Sequence, residues 1–124
     1  MRYFLRVFLI LSGCALVPAC GQTQQNGPAW QTGPTVTSNS GGMVTLGWTA
    51  AIDNAGGGLS YALYMGNGGS GTEDTNNPAG GTPTSLLTAT VSGLTATNHY
   101  WFFVVATDVN GNTTTSGELE VIAN

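Results

Sequence analysis

The chain has 124 residues, of which 41% are hydrophobic and only 6% are charged, and its formal net charge is −4. This length suits one compact domain with a short additional segment, and it is too short for a TIM barrel. Arg2 and Arg6 are the only basic residues, so the rest of the chain carries six acids and no lysine or arginine (0 − 6 = −6). Nucleic-acid binding is therefore not expected, because it depends on cations that bind phosphates.

The first twenty residues have the organisation of an export signal. Met1–Arg6 is short and positive, Val7–Leu11 is wholly apolar, and the segment closes on small residues at Pro18–Cys20. A positive start, an apolar centre and a small-residue exit are typical of secretory signal peptides. Only 14 residues separate the positive start from Gly21, which is too few to span about 30 Å of hydrocarbon.

Both cysteines lie in this segment, in a pattern that resembles the signal of bacterial lipoproteins, whose lipobox ends at the cysteine that becomes acylated. Leu11–Cys14 matches the lipobox better, but it leaves about five apolar residues after Arg6, fewer than a signal core usually has. Val17–Cys20 gives a core of normal length. We therefore predict lipidation at Cys20, with Cys14 as the alternative. Cleavage without lipid and a disulfide between the two cysteines are the other readings.

These features divide the chain into a signal peptide at 1–19, a flexible tether at 20–33 and a folded domain at 34–124. The tether is rich in Gln, Gly, Thr, Asn and Pro. Several acyl chains on Cys20 would hold the protein stably at a membrane. The lipoprotein resemblance, with Gly21 after the cysteine, implies a location at the cell envelope, in the outer membrane or at the cell surface.

From Val44 onward, apolar and polar side chains alternate with the period of β-strands, and no window has the spacing of an amphipathic helix. Clusters of Gly, Asn, Asp and Ser separate the alternating runs. Short runs of this kind predict an all-β sandwich or barrel. The runs lie at Val44–Thr49, Leu59–Tyr64, Leu87–Ser92, Tyr100–Ala106 and Leu119–Ala123.

Several of these residues together resemble a fibronectin type III domain. Leu94 precedes Tyr100 by six positions, alternate apolar residues follow, Asp108 comes next, and Trp48 matches the buried tryptophan of strand B. The resemblance covers about 34–124 and implies an immunoglobulin-like sandwich of about seven antiparallel strands. It also implies a tyrosine corner, in which the Tyr100 ring fills the edge of the core and its hydroxyl binds backbone near the E–F turn.

The family topology implies two sheets, A-B-E and C-F-G with C′. Ala96 departs from the family pattern, which usually has proline there, and Met65–Pro83 is long, Gly-rich and without a clear strand. We expect strands C′ and D to be short or irregular in that segment. The implied strands are A 34–38, B 43–50, C 59–65, E 85–92, F 98–107 and G 117–123.

No catalytic constellation is visible, and we expect neither an enzyme nor a cofactor. His99 is the single histidine, and alternation directs it outward at the start of strand F, so we interpret it as a solvated surface residue. Glu73 and Asp74 are adjacent in a Gly-rich loop that would not hold a catalytic geometry. We therefore interpret this acidic pair as a solubilising patch.

The loop at 108–112 offers oxygen ligands at alternate positions, and the family resemblance places Asp53 at the same pole as Asp108 and Asn110. It is not an EF-hand, because glycine stands fourth and no glutamate closes the loop. Asp and Asn-Gly also stabilise turns by binding their own backbone. Turn capping is the predicted role, and a calcium site at Asp53, Asp108 and Asn110 is the weaker alternative.

The outward face of strand F is the most informative feature of the sequence. If its alternate residues from Tyr100 point inward, then Trp101, Phe103 and Val105 point outward, and Tyr64 of strand C joins them. The outer face of an antiparallel sheet usually meets water, whereas an exposed apolar patch usually marks a binding surface. We therefore predict a binding surface at Tyr64, Trp101, Phe103 and Val105.

Three occupants of this surface are compatible with the sequence. The domain's own 66–83 loop or Trp30 could cover it, another protein could pack on it, or a glycan could stack on its rings. The sequence therefore predicts a non-catalytic protein-interaction or adhesion and scaffold module. A carbohydrate-binding accessory domain is the alternative.

Overall fold

The computed structural model describes residues 27–124, and within that range the regular structure is all β. This confirms the predicted all-β fold class. In chain order the eight strands are β1 (Thr35–Ser40), β2 (Met43–Gly47), β3 (Ser60–Gly66), β4 (Ala79–Thr84), β5 (Thr88–Val91), β6 (His99–Thr107), β7 (Thr113–Thr115) and β8 (Leu119–Ile122).

The strands form two antiparallel sheets that face each other. One has the order β1-β2-β5, and the other has the order β8-β6-β3-β4 with β7 also paired to β6. These are the two sheets that the family resemblance implies, with β4 in the place of C′. The predicted sandwich is therefore confirmed.

Two strands differ in detail from the expectation. β4 crosses the Gly-rich segment and pairs with β3 through Tyr61↔Thr84 and Leu63↔Ala79, with a register shift between the two pairs. The Thr82 hydroxyl accepts the Leu63 N–H at 2.8 Å, so a side chain replaces a missing backbone partner. Strand G is divided into β7 and β8, which gives eight strands rather than about seven.

The core lies between the sheets and is built from the alternate residues that the sequence pattern predicts. Val44 and Leu46 of β2 are fully buried against Leu63 of β3 and Phe102 and Val104 of β6. Each apolar side chain of this size contributes roughly 1.5–3 kcal/mol when it is removed from water. The inward set of β6 therefore joins the two layers along the whole length of the strand.

Residues 27–33, expected to belong to the tether, lie against the domain in the structure. Pro28 is fully buried, Ala29 exchanges two backbone hydrogen bonds with Ile52, and the Trp30 indole donates to the Thr114 carbonyl at 2.9 Å. The Trp30 ring also packs on Tyr61, with centroids 5.8 Å apart. The structure thus extends the folded domain to at least residue 27.

The sandwich has two ends, which we call the N-terminal pole and the C-terminal pole. The N-terminal pole holds Gly27 and the loops 48–59, 85–87 and 108–112. Its composition follows from the pairing of Gly47 with Thr88 and from the Asn54 amide, which donates to the Gly27 carbonyl. The C-terminal pole holds the turn at 41–42, the loops at 67–78 and 92–98, and Asn124, whose carbonyl accepts the Gly42 N–H at 2.8 Å.

Candidate binding face

The outer face of the five-stranded sheet carries an aromatic row, which we call the aromatic face: Tyr64, Trp101, Phe103 and Val105. The register pairs Tyr64 with Phe103 across β3 and β6, and their ring centroids are 5.5 Å apart at an angle of 46°. All four residues are half-buried, as side chains that lie flat on a sheet are. The structure therefore brings together the four residues predicted to form a surface.

His99 extends the aromatic face toward the C-terminal pole. Its ring stacks on Trp101 with centroids 6.1 Å apart and 27° between the planes. Its Nδ1 contacts Glu120 Oε2, and both side chains are about half exposed, 49% and 48%. The predicted outward direction of His99 holds, and its partner is a carboxylate on β8.

A loop of the same domain lies over one end of the aromatic face. Gly66 is paired with Trp101, and a Cβ atom on Gly66 would meet the Thr72 backbone carbon at 2.6 Å and the Glu73 nitrogen at 2.7 Å. Because outward positions of β3 alternate, this contact is on the outer side of the sheet. Only glycine at position 66 lets the loop approach the strand so closely.

The other attachment of this loop is Glu118, just before β8. Ser70 Oγ donates to one carboxylate oxygen of Glu118, and the Gly71 N–H donates to the other at 2.8 Å. Since Glu118 and the end of β3 lie on opposite sides of β6, the loop crosses β6 on its outer side. The 67–73 segment therefore covers the Trp101 end of the aromatic face, whereas Trp30 packs on Tyr61 instead.

Glu73 and Glu118 form a pair of neighbouring carboxyl groups with opposite pKa shifts. Burial raises the pKa of Glu73 above 4.5, and the adjacent Glu118 carboxylate raises it further. Hydrogen bonds from Ser70 and Gly71 lower the pKa of Glu118. One oxygen of Glu73 is buried and has no hydrogen-bond partner among the described residues.

This pair changes the interpretation of the acidic loop. Glu73, expected to be part of a solubilising patch, is half-buried and belongs to the contact between the loop and β8. Asp74 remains exposed, and hydrogen bonds from Asn77 and Asn76 lower its pKa. The two adjacent acids therefore have different environments.

The carboxylates proposed for calcium are used by their own loops. Asp53 accepts the N–H groups of Ala55, Gly56 and Gly58 within 3.1 Å. Asp108 is buried and accepts from Asn110 N and from the backbone and side chain of Asn112, and the Asn112 side chain is the main cause of its lowered pKa. Turn capping thus accounts for both carboxylates.

No group of three or more His, Cys, Asp or Glu side chains suited to a metal ion occurs in the part of the chain that the structure describes. The calcium alternative at Asp53, Asp108 and Asn110 stays a prediction. Its donors are oxygen atoms of the type that calcium prefers, but the Asp53 and Asp108 oxygens already accept backbone N–H groups.

The three residues assigned structural roles lie in the core. Trp48 and Leu94 are buried, and the Tyr100 hydroxyl accepts the Thr95 N–H at 2.9 Å, as the tyrosine corner implies. That hydrogen bond also lowers the pKa of Tyr100. A second tyrosine does similar work, because the buried Tyr61 hydroxyl accepts the Ala51 N–H at 3.1 Å and fixes the loop after β2.

The lipidation candidates Cys20 and Cys14 lie outside the described residues. Across 27–124 there is no helix of the length and apolar character needed to cross a membrane.

Solved structures identify the architecture. The fibronectin type III domain of human fibronectin type III domain containing protein 3 superposes with a TM-score of 0.64 and 24% identity, covering 86% of this chain and 92% of that one. The fold is a fibronectin type III sandwich. The Twitchin kinase region of C. elegans also matches, with a TM-score of 0.57 and 18% identity over 77% of this chain and 17% of that one.

Sequence comparison adds one relative. Exoglucanase B of Cellulomonas fimi is 41% identical over 83 residues, which are 64% of this chain and 7% of the enzyme. The chain therefore spans only a small part of that relative's length. No protein-family model matches the chain.

Sequence reasoning missed two features of the fibronectin type III fold in this chain. The first is the Glu118–Ser70 contact, which joins residues 48 positions apart and has no local signal except that Glu118 has outward parity with Glu120. The second is a set of exposed aliphatic side chains in the loops of the N-terminal pole. The polar, Gly-rich sequence around these residues predicts turns. It does not indicate that the apolar side chains point into solvent.

Proposed function

We propose that this protein is a non-catalytic protein-interaction module, a fibronectin type III-like domain exported to the bacterial cell envelope and held there by a lipid on Cys20. Its partner binds the aromatic face. The observation that carries the proposal is the Tyr64–Phe103 pair beside Trp101 on the outer side of a sheet whose inner side already supplies a complete core.

The aromatic face supports binding because the fold does not require it. Residues 102, 104 and 106 of β6 are completely buried in the core, whereas Trp101, Phe103 and Val105 remain partly exposed. Aromatic side chains of this kind supply much of the energy of protein interfaces when a partner removes them from water. The neighbouring acids Glu118 and Glu120 give this side of the sheet a negative rim that favours a neutral or basic partner.

The cell-envelope location is supported by the signal at 1–19, with its positive start, apolar centre and small-residue exit. Intact mass spectrometry of the exported protein tests this part. We expect a chain that begins at Cys20 and carries acyl groups; an unacylated chain with another first residue would contradict it.

Binding to isolated cell envelopes tests the aromatic face. The labelled domain should bind envelopes, and the double variant Trp101→Ser/Phe103→Ser should lose most of this binding. Met43→Ser, an exposed apolar residue of the other sheet, is the matched control and should bind normally. Protease treatment of the envelopes should abolish binding if the partner is a protein; binding that survives protease would contradict a protein partner.

A glycan is the second candidate partner, favoured by the similarity to Exoglucanase B and by the flat aromatic row. Sugar rings stack on such rows through their apolar faces. Tryptophan fluorescence measured while a soluble glucan is added distinguishes this function. A saturable change that is lost in Trp101→Ala, together with envelope binding that resists protease, would replace the protein partner by a carbohydrate.

A further inference from the structure

Three aliphatic side chains project from three separate loops of the N-terminal pole. Leu86 is 65% exposed, Val109 is 63% exposed and Ile52 is 50% exposed. An open groove of about 400 Å³ lies between two of these loops, 48–59 and 85–87, and its lining includes Leu59, Leu87 and Asp53. The end of the sandwich therefore presents three exposed aliphatic side chains and a groove with a largely apolar lining. Isolated apolar side chains are normal at a surface, whereas several at one end of a domain are not.

The chain enters the domain at this same pole. The Asn54 side chain donates to the Gly27 carbonyl at 3.1 Å, and a Cβ atom on Gly27 would lie 2.8 Å from the Thr113 carbonyl oxygen. Gly27 is thus held between the loop after β2 and the start of β7. The other end of the described chain, Asn124, is bound to Gly42 and Asn39 at the C-terminal pole.

Gly27 follows Cys20 by seven positions. Even fully extended, the connecting chain reaches roughly 25 Å. A lipid on Cys20 therefore keeps the N-terminal pole, and not the C-terminal pole, within a short distance of the bilayer. Such a short connection gives the pole a high local concentration at the membrane, so weak contacts suffice to hold it there.

The charges of the domain favour the same orientation. Glu73 and Asp74 lie in the loop at the C-terminal pole, and Glu118 and Glu120 lie before and within β8. The acids at the N-terminal pole, Asp53 and Asp108, each accept several hydrogen bonds from their own loops. With no lysine or arginine after Arg6, the contact cannot depend on attraction to anionic headgroups.

We infer that the N-terminal pole rests on the bilayer that holds the anchor, with Ile52, Leu86 and Val109 in contact with lipid. This inference rests on the lipid anchor of the proposed function. The inference determines the orientation of the domain on the membrane. The C-terminal pole points away from the bilayer, and the aromatic face lies roughly perpendicular to the bilayer plane. The contact is apolar, so it is insensitive to salt.

The test uses the chain from Cys20 onward, which contains the whole sandwich and has Cys20 as its single thiol. Cys20 is coupled to a maleimide lipid in phosphatidylcholine vesicles, and amide hydrogen exchange is compared with that of the uncoupled protein. We expect exchange at 50–58, 84–88 and 108–112 to slow by about threefold on coupling, with no change at 92–98. The slowing should be the same at low and high salt.

A pair of variants distinguishes contact of the N-terminal pole with lipid from attachment of Cys20 to the vesicle alone. Leu86→Asp/Val109→Asp should remove the protection. The control Met43→Asp/Ile122→Asp, at positions of the C-terminal pole that are 50% exposed, should keep it. Protection at 92–98 instead, or no protection at all, overturns the inference. Protection of the N-terminal pole in uncoupled protein that grows with concentration also overturns it, because a second copy then covers the pole.

Chemical coupling makes this test independent of lipidation in the cell. If the intact mass shows no acyl group but the coupled protein is protected, the anchor of the proposed function fails while the apolar pole is real. If acyl groups are found but the coupled protein is not protected, the anchor stands and this orientation is wrong.

Discussion

The two faces of β6 differ in what they do, although they alternate along the same nine residues. Tyr100, Phe102 and Val104 are buried in the core, whereas Trp101 and Phe103 have comparable apolar character and remain partly exposed. Alternation alone would make the outer set polar. The comparison shows that the core explains the hydrophobicity of the inner face, whereas the outer face is covered only in part, by the 67–73 segment at its Trp101 end.

The sharpest test of this comparison is a pair of neighbouring substitutions. Phe102→Ala should lower the free energy of unfolding by about 3–5 kcal/mol, because it removes a fully buried ring and leaves a cavity. Phe103→Ala should lower it by only about 1 kcal/mol, since it breaks one cross-strand pair. Urea denaturation measures both. Equal losses would mean that the outer face is part of the core.

The tyrosine corner gives the next largest effect. Tyr100→Phe should lower the free energy of unfolding by about 1–2 kcal/mol, because the Thr95 N–H loses its acceptor. Tyr64→Phe on the aromatic face is the matched control and should stay within about 0.5 kcal/mol of the natural protein. If the two variants are equally stable, the corner does not fix the fold.

A turn at the C-terminal pole offers a stabilising change. Thr97 has a φ of 69°, a left-handed conformation that is unfavourable for a β-branched residue. Thr97→Gly should therefore raise the free energy of unfolding by about 1 kcal/mol, because relief of this strain exceeds the entropy lost by glycine. Asn98→Gly, in the same turn, should destabilise instead. Thermal unfolding of both variants provides the comparison.

The smallest expected effect concerns pH and the loop over the aromatic face. The pKa of Glu73 is raised above 4.5, so this carboxyl favours the folded state below that pH, and its contribution is lost as pH rises through the folded pKa. The pKa of Glu118 is lowered, so its contribution is present above 4.5 and is lost as pH falls through the folded pKa. The two carboxyl groups thus act in opposite directions around pH 4.5.

Glu118→Gln tests the effect of the Glu118 carboxylate on the pKa of Glu73. Without the neighbouring carboxylate, the pKa of Glu73 should move down toward 4.5, while burial still holds it above that value. Carbon NMR titration of the Glu73 carboxyl measures the change, with Glu120→Gln as the control on the same strand edge. An unchanged Glu73 titration in Glu118→Gln would show that the two carboxyl groups do not interact.

Period-two alternation was enough to predict the strands of the core and the outward aromatic residues, because each of these depends on side chains a few positions apart. The arrangement of the strands in two sheets was implied by the resemblance to fibronectin type III domains and not by the alternation. β4 could not be predicted in the same way. It contains Gly80 and Gly81 at positive φ and lacks alternation, and it forms because β3 offers it an edge and Thr82 offers a hydroxyl. Its signal lies in tertiary pairing and not in its own residues.

The position of the 67–73 segment over the aromatic face could not be predicted from local sequence patterns either. Ser70 and Glu118 come into contact only when the sheet is assembled. The need for glycine at position 66 is clear only once the loop that packs against it is known. The tether boundary was misplaced for a similar reason, since Trp30 was the only large apolar residue in a polar segment and its partners, Tyr61 and Thr114, are distant in sequence. Long-range partners decide such positions.

The way in which residues 27–33 lie on the domain determines how it responds to mechanical load. Any pull on the chain at Gly27 acts first on the two hydrogen bonds between Ala29 and Ile52 and on the Trp30 indole, before it reaches a sheet. These contacts are few, whereas β6 is paired along its length with three strands. The short N-terminal segment would therefore peel away and lengthen the connection while the sandwich stays intact.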